Sequence, residues 1–292
     1  MNYDEMIIHI ENLNDDQGFD ISALPHGSNL LCQLGKKAAE REDLFNRILP
    51  YYVNTRTVSY NPDNLETFIQ ETVEYTNTYL DFLRTINISF SHQQDFTSSI
   101  IPEMLCNIIG KIIQDRDATL EVSAQKKLTI ECTFDIANGG IIHFKNKKVD
   151  VAAVQPSTLS LNGNTTEFPI PLIAIECKTN LDKNMLSGIE HSVTELKKTF
   201  PNCHYYVVTE YSDYDVKKVN YASSGIDEMY ILRKQKRAEV RNNPNARKPI
   251  DYRLVYEIAQ TLIANIDSMR NDQLGLTSRM LNGKLIGRNR NV

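Results

Sequence analysis

Leu172-Ile173-Ala174-Ile175-Glu176-Cys177-Lys178 is the stretch on which the reading of this chain turns. Its first four residues are apolar without a break, as in a strand buried on both faces. An acid and a base then follow two positions apart. Along a strand, positions i and i+2 share a face. Glu176 and Lys178 therefore project together, while Ile175 and Cys177 turn to the other side. Charges on a buried strand are costly unless they are paired or hold a metal. Taken alone, the triplet reads most simply as an ion pair where the strand reaches solvent.

A second acid upstream changes that balance. Asp150 interrupts the apolar residues of Lys147-Lys148-Val149-Asp150-Val151-Ala152-Ala153-Val154, and it precedes Glu176 by 26 positions. That span fits a hairpin-like link, so two adjacent strands would bring both carboxylates to one point. Two carboxylates with open coordination positions suit magnesium, which prefers hard oxygens and keeps waters. The metal would polarise a phosphate and lower the pKa of a water. Lys178 would orient that water and offset charge in the transition state. Asp135 is the rival first carboxylate, but it stands just before the turn residues Asn138-Gly139-Gly140, which favours a turn role.

Outward from this stretch the chain divides near residue 95. Before it the patterns are helical: 43–49, ending near Pro50, and 64–86. Residues 99–114 form a third helix with a broad apolar stripe, suited to packing on a sheet. Strand patterns follow at 127–135 and at 141–154, the second with a polar break at Lys145-Asn146. A polar connection spans 159–166, and the strand 170–178 comes next. An amphipathic helix at 184–200, strands at 203–209 and 229–232, and a last helix at 250–269 complete the order. The pattern predicts an α/β fold with a mixed sheet flanked by helices, antiparallel hairpins first and a crossover helix joining two parallel strands. The expected organisation is a helical N-terminal region at 1–95 (a DNA-binding or dimerisation arm), a core at 96–270 and a basic tail at 271–292.

The chain has 292 residues, 41% apolar and 24% charged, which suits a globular protein with its own core. No apolar run has the length of a bilayer span, and the acidic N-terminus is unlike a signal peptide. The five cysteines (Cys32, Cys106, Cys132, Cys177, Cys203) have no zinc spacing, so a reducing cytoplasm fits. Net charge is −5, yet residues 231–292 hold thirteen Lys or Arg against five acids. A local basic surface is enough to engage phosphates. Arg233, Lys234, Lys236, Arg237, Arg241 and Lys248 are the expected phosphate contacts, and the tail adds four more basic residues. His191 is expected to be structural, and neither it nor His26 has a Ser or Cys partner for nucleophilic catalysis.

Asp150 followed by Glu176-Cys177-Lys178 resembles the PD-(D/E)xK nuclease signature, and the order of elements from 99 to 232 resembles that fold's core. Ile173 to Lys178, Lys183 to Leu186, Tyr206 to Tyr211 and Ile226 to Arg233 resemble a subunit of the heterodimeric BbvCI-like (Type IIT) restriction endonucleases. The resemblance is clearest over 99–260. It implies a magnesium-dependent nuclease of bacterial cytoplasm that hydrolyses one strand of double-stranded DNA at an asymmetric site, paired with a second, related subunit. Asp150 and Glu176 would be metal carboxylates and Lys178 the catalytic lysine. Glu103, in the first core helix, would join the metal shell; the other reading of it is an acid at its own helix N-terminus. Asp150 follows Val149 where the signature has Pro. Glu210, at a strand end, could approach the site but reads better as an ordinary strand-end acid. Pro25-His26-Gly27 resembles a turn that the family carries near its N-terminus. A repair nuclease without base specificity and a non-catalytic DNA-binding subunit are the alternatives.

Overall fold

The computed structural model describes residues 24–35, 38–86, 93–135, 137, 141–161, 163–213, 224–269, 280–281 and 283. Among the described residues five helices come first: α1 (Pro25–Gly35), α2 (Ala38–Asn54), α3 (Leu65–Thr85), α4 (Gln93–Ser98) and α5 (Ile100–Arg116). Strands β1 (Glu121–Ala124), β2 (Lys127–Asp135), β3 (Ile141–Lys148), β4 (Val151–Gln155), β5 (Thr158–Leu161), β6 (Asn164–Glu167) and β7 (Ile170–Leu181) follow. Then come α6 (Lys183–Thr199), β8 (His204–Ser212), β9 (Glu228–Ile231), α7 (Arg237–Asn242) and α8 (Tyr252–Met269).

The central sheet has the order β1-β4-β7-β8-β9. β4 is antiparallel to β1 and to β7, whereas β7, β8 and β9 run parallel. This is the mixed sheet expected, with α6 as the crossover between β7 and β8. Asp182 caps α6, accepting the Met185 N–H at 2.9 Å. Side chains alternate across the sheet. Val151, Ala153, Ile173, Ile175, Tyr206 and Val208 meet the helical layer of α3, α5 and α8. Ala152, Val154, Ala174, Tyr205 and Val207 meet α6. Both faces are covered, so the strands read as continuous apolar runs.

The helical stretch Phe96–Arg116, which includes α5, resembles a membrane span by length and composition, but it lies mostly buried in the protein. Each of its fully buried isoleucines contributes about 1.5–3 kcal/mol relative to exposure. The cluster that holds it continues from Leu30 and Tyr52 through Val73 and Leu80 to Ile266, so the N-terminal helices share their core with the sheet.

β1 and β4 do not end a hairpin; they begin a longer one. The chain bends between β1 and β2 and again between β3 and β4, so one long antiparallel pair becomes a sheet edge and then a two-stranded ribbon. At the bend the Gln125 N–H reaches the Asp150 carbonyl at 2.9 Å and the Val149 N–H reaches the Lys126 carbonyl at 2.9 Å. Gln125 takes a left-handed φ of 55° to make the corner. The expected single strand 141–154 is therefore two, broken at Val149-Asp150 rather than at Lys145-Asn146.

Other differences have local causes. α2 continues through Pro50. The carbonyl that proline leaves without an N–H partner is that of Asn46, and both residues are exposed, so water can replace the lost bond. The expected polar connection 159–166 forms the small hairpin β5–β6, with Gly163 at φ 80° in its turn. α1, α4, α7 and β1 carry too few periodic residues to be predicted. The Asn138-Gly139-Gly140 turn and nearly all of the basic tail lie outside the described residues.

Candidate active site

β7 pairs with β4 so that Val151 lies opposite Ile175, one step from Asp150 and Glu176. Both acids point to the α6 side of the sheet, since Asp150 keeps the parity of Ala152 and Glu176 that of Ala174. The Lys178 ammonium lies between them, 2.8 Å from Glu176 Oε1 and 3.9 Å from Asp150 Oδ2. Asp150, Glu176 and Lys178 are thus brought together. Cys177 turns away toward the opposite core. Asp135, the rival acid, lies at the far end of the ribbon from this corner.

Each carboxylate is held by further donors. Asp150 Oδ2 accepts the Cys177 backbone N–H at 2.8 Å, and Oδ1 accepts the Gln125 amide at 2.8 Å. Glu176 is nearly buried, and its Oε2 accepts the Tyr205 hydroxyl at 3.3 Å. Lys147, from β3, places its ammonium 3.9 Å from the same Oε2. Burial pulls the Lys178 ammonium down, but the Glu176 carboxylate beside it, their hydrogen bond and Asp150 outweigh this, and the net shift is upward. Lys178 is therefore a cation at neutral pH, suited to holding a water or a phosphate oxygen rather than to taking a proton. Burial and then Glu176 raise the Tyr205 phenol, which keeps its proton and donates it.

Gln125, Lys147 and Tyr205 were not identified from sequence. Gln125 and Lys147 reach the site only because the long hairpin bends. Tyr205 stands opposite Ala174 in the parallel register and reaches Glu176 along the strand.

Glu103 is not part of this constellation. It projects from α5, on the other face of the sheet. Its Oε2 accepts the N–H groups of His26 (2.7 Å) and Gly27 (3.0 Å), and its Oε1 accepts the Tyr52 hydroxyl (2.6 Å). It thus satisfies donors in the first turn of α1, which have no partner within their own helix. The expected contribution to a metal shell is replaced by capping of a distant helix.

His26 lies fully buried beside it. Nδ1 faces the Phe96 carbonyl at 2.9 Å and must donate; in the ring form that burial favours, Nε2 accepts the Tyr79 hydroxyl at 2.7 Å. That is the neutral imidazole. Burial lowers its pKa, against the pull of Glu103 and the Phe96 carbonyl. Pro25-His26-Gly27 opens a helix rather than forming a free turn. His191 is exposed on α6.

The basic run does not act as a unit. Arg233 is buried: Nε donates to Glu210 Oε2 at 2.7 Å, Nη1 to the Lys248 carbonyl at 2.6 Å, and the guanidinium lies over the Tyr211 ring. It is a core ion pair, not a phosphate contact, because the turn after β9 keeps it beside β8, its N–H bonded to the Glu210 carbonyl. Glu210 is occupied by that pair and by Arg84, away from the Asp150–Glu176 side. Lys234 is exposed but paired with Asp251. Lys236, Arg237, Arg241 and Lys248 are exposed, and none forms an ion pair among the described residues.

The model of the Bpu10I restriction endonuclease family matches residues 93–274, a span that contains the whole sheet and the Asp150–Glu176–Lys178 cluster. A chain of the native BbvCI A2B2 tetramer superposes with a TM-score of 0.64 and 25% identity, covering 84% of this chain and 96% of that one. No curated protein matches.

Proposed function

The chain belongs to the Bpu10I restriction endonuclease family, and from that premise we propose that it is the subunit of a Type II restriction enzyme that hydrolyses one strand of DNA, at an asymmetric site, with magnesium. The observation that carries this reading is the Lys178 ammonium set between the carboxylates of Asp150, at the bend before β4, and Glu176, on the neighbouring β7.

The residues present fit magnesium. Among the described residues no three His, Cys, Asp or Glu side chains are gathered so as to hold a metal, so an ion here would rest on two carboxylates with waters and substrate. A pair of carboxylates that leaves positions for waters and phosphate oxygens is the usual donor set for this ion. Asp150 and Glu176 would hold it; bound there, it would polarise the scissile phosphate and acidify a water. Asp150 arrives already oriented by Gln125 and the Cys177 N–H. Lys178 holds the attacking water and offsets the charge that grows on the phosphorus oxygens. Water oxygen bonds to phosphorus as one ester P–O bond breaks, leaving a phosphate monoester and a hydroxyl.

Lys236, Arg237, Arg241 and Lys248 form the phosphate-facing surface that positions the duplex without reading it. A second, related nuclease subunit would supply the cut on the other strand; the A2B2 composition of the BbvCI tetramer supports such pairing. The four thiols of Cys106, Cys132, Cys177 and Cys203 are free, in keeping with a cytoplasmic protein. The test is digestion of a sequenced plasmid by this chain with its candidate partner, followed by mapping of ends on each strand. Discrete ends that vanish on chelation are expected. Scattered ends, or cutting without a divalent cation, contradict the reading.

A further inference from the structure

Glu176 is gripped from both sides. Lys178 holds Oε1 at 2.8 Å, and Lys147 stands 3.9 Å from Oε2. Lys147 belongs to β3 of the ribbon, opposite the buried Leu128, whereas Glu176 and Lys178 belong to β7 of the sheet. Its side chain is 29% exposed, as is that of Lys178. The two lysines balance the two carboxylates Asp150 and Glu176 in charge.

That balance cannot survive occupation of the site by a dication. Two ammonium groups and a divalent ion would then face two carboxylates within a few ångströms, and like charges that close repel strongly where water is scarce. Lys178 is anchored by a short hydrogen bond. Lys147 reaches Glu176 only at ion-pair distance, too far for a hydrogen bond, on a flexible four-carbon stem. Of the two lysines it is the one held less closely. A phosphodiester brings the negative charge that such a lysine would meet next.

We propose that Lys147 is a second active-site cation, resting on Glu176 before the metal arrives and moving to a non-bridging oxygen of the DNA phosphate when it does. The inference rests on the nuclease reading above. Lys147 binds substrate in this account, and its position on the ribbon makes the ribbon, as well as the sheet, part of the site.

The experiment uses the complete complex with the partner's active site inactivated, so that only this chain's cut is read. Lys147→Gln and Lys147→Arg are compared with wild type in single-turnover nicking with magnesium, and in titration calorimetry of the DNA-free complex with calcium. For Lys147→Gln the expected result is nicking slower by about tenfold or more, with calcium binding tighter by about fivefold because a competing cation is gone. Lys147→Arg should keep most of the nicking. A residue that only braces Glu176 would weaken cation binding when removed. The proposal is overturned if Lys147→Gln nicks within about twofold of wild type, or if its calcium binding is unchanged or weaker. Lys178→Ala serves as the reference: if it nicks like wild type, the nuclease reading itself fails, and the calcium titration still decides whether Lys147 competes for Glu176.

Discussion

Two residues show how far a side chain's environment can depart from its chemical type. Arg233 looks like a phosphate contact in a basic run, yet its side chain is 1% exposed and paired with Glu210. Removing one partner of a buried pair strands the other charge, at a cost of about 3–5 kcal/mol. Arg233→Met is therefore expected to lower unfolding free energy by that amount in urea titration, and an unchanged midpoint would contradict the assignment. His26 is buried as the neutral imidazole with its pKa lowered from 6.5. The unfolded chain then binds a proton that the folded chain refuses. Stability is full above pH 6.5 and falls as pH drops below it, by about 1.4 kcal/mol per unit until the folded pKa is reached. Urea titrations of wild type and His26→Gln from pH 7.5 down to 5.5 would check this. The wild type should lose stability across that range and the variant should lose much less; parallel curves would refute it.

The site is built at the scale of elements by one bend. The corner at Gln125 and Asp150 sends the long hairpin away from the sheet, and its backbone and amide both hold Asp150. Gln125→Gly separates two explanations of this residue. Glycine accepts φ 55° without cost, so a mere turn residue could be replaced without loss. If the amide orients Asp150, the glycine variant keeps or gains thermal stability while nicking falls by about tenfold. Equal nicking by both proteins would show that only the turn matters. The bend also explains what could be seen beforehand. β7 and its crossover helix were legible because an acid and a base end a long apolar run. Asp150 was legible because a charge breaks another. Gln125 and Lys147 were not, because their approach depends on a corner that no Gly or Pro marks. Glu103 and Arg233 were misplaced for a related reason: sequence shows a charge but not which core closes over it, and the partners lie 77 and 23 positions away.

The molecule as a whole is acidic, with a net charge of −5, so the proposed function requires a local attraction to DNA. In the proposed function Lys236, Arg237, Arg241 and Lys248, at the start of α7, within it and beyond it, supply that locality. Replacing Lys236, Arg237 and Arg241 together by Gln should weaken DNA binding about equally on all sequences. It should also flatten the salt dependence of the binding constant by about 2–3 units of slope. Binding titrations in calcium across a range of salt would check it, and an unchanged slope would move the phosphate surface elsewhere. The chain belongs to a restriction endonuclease family, and the Asp150–Glu176–Lys178 cluster is the proposed site of its cut. The measurement that tests this most directly is plasmid cleavage by the complex carrying Lys178→Ala in this chain and an unaltered partner. The predicted product is an open circle nicked on one strand only; linear DNA at the wild-type rate would contradict the assignment.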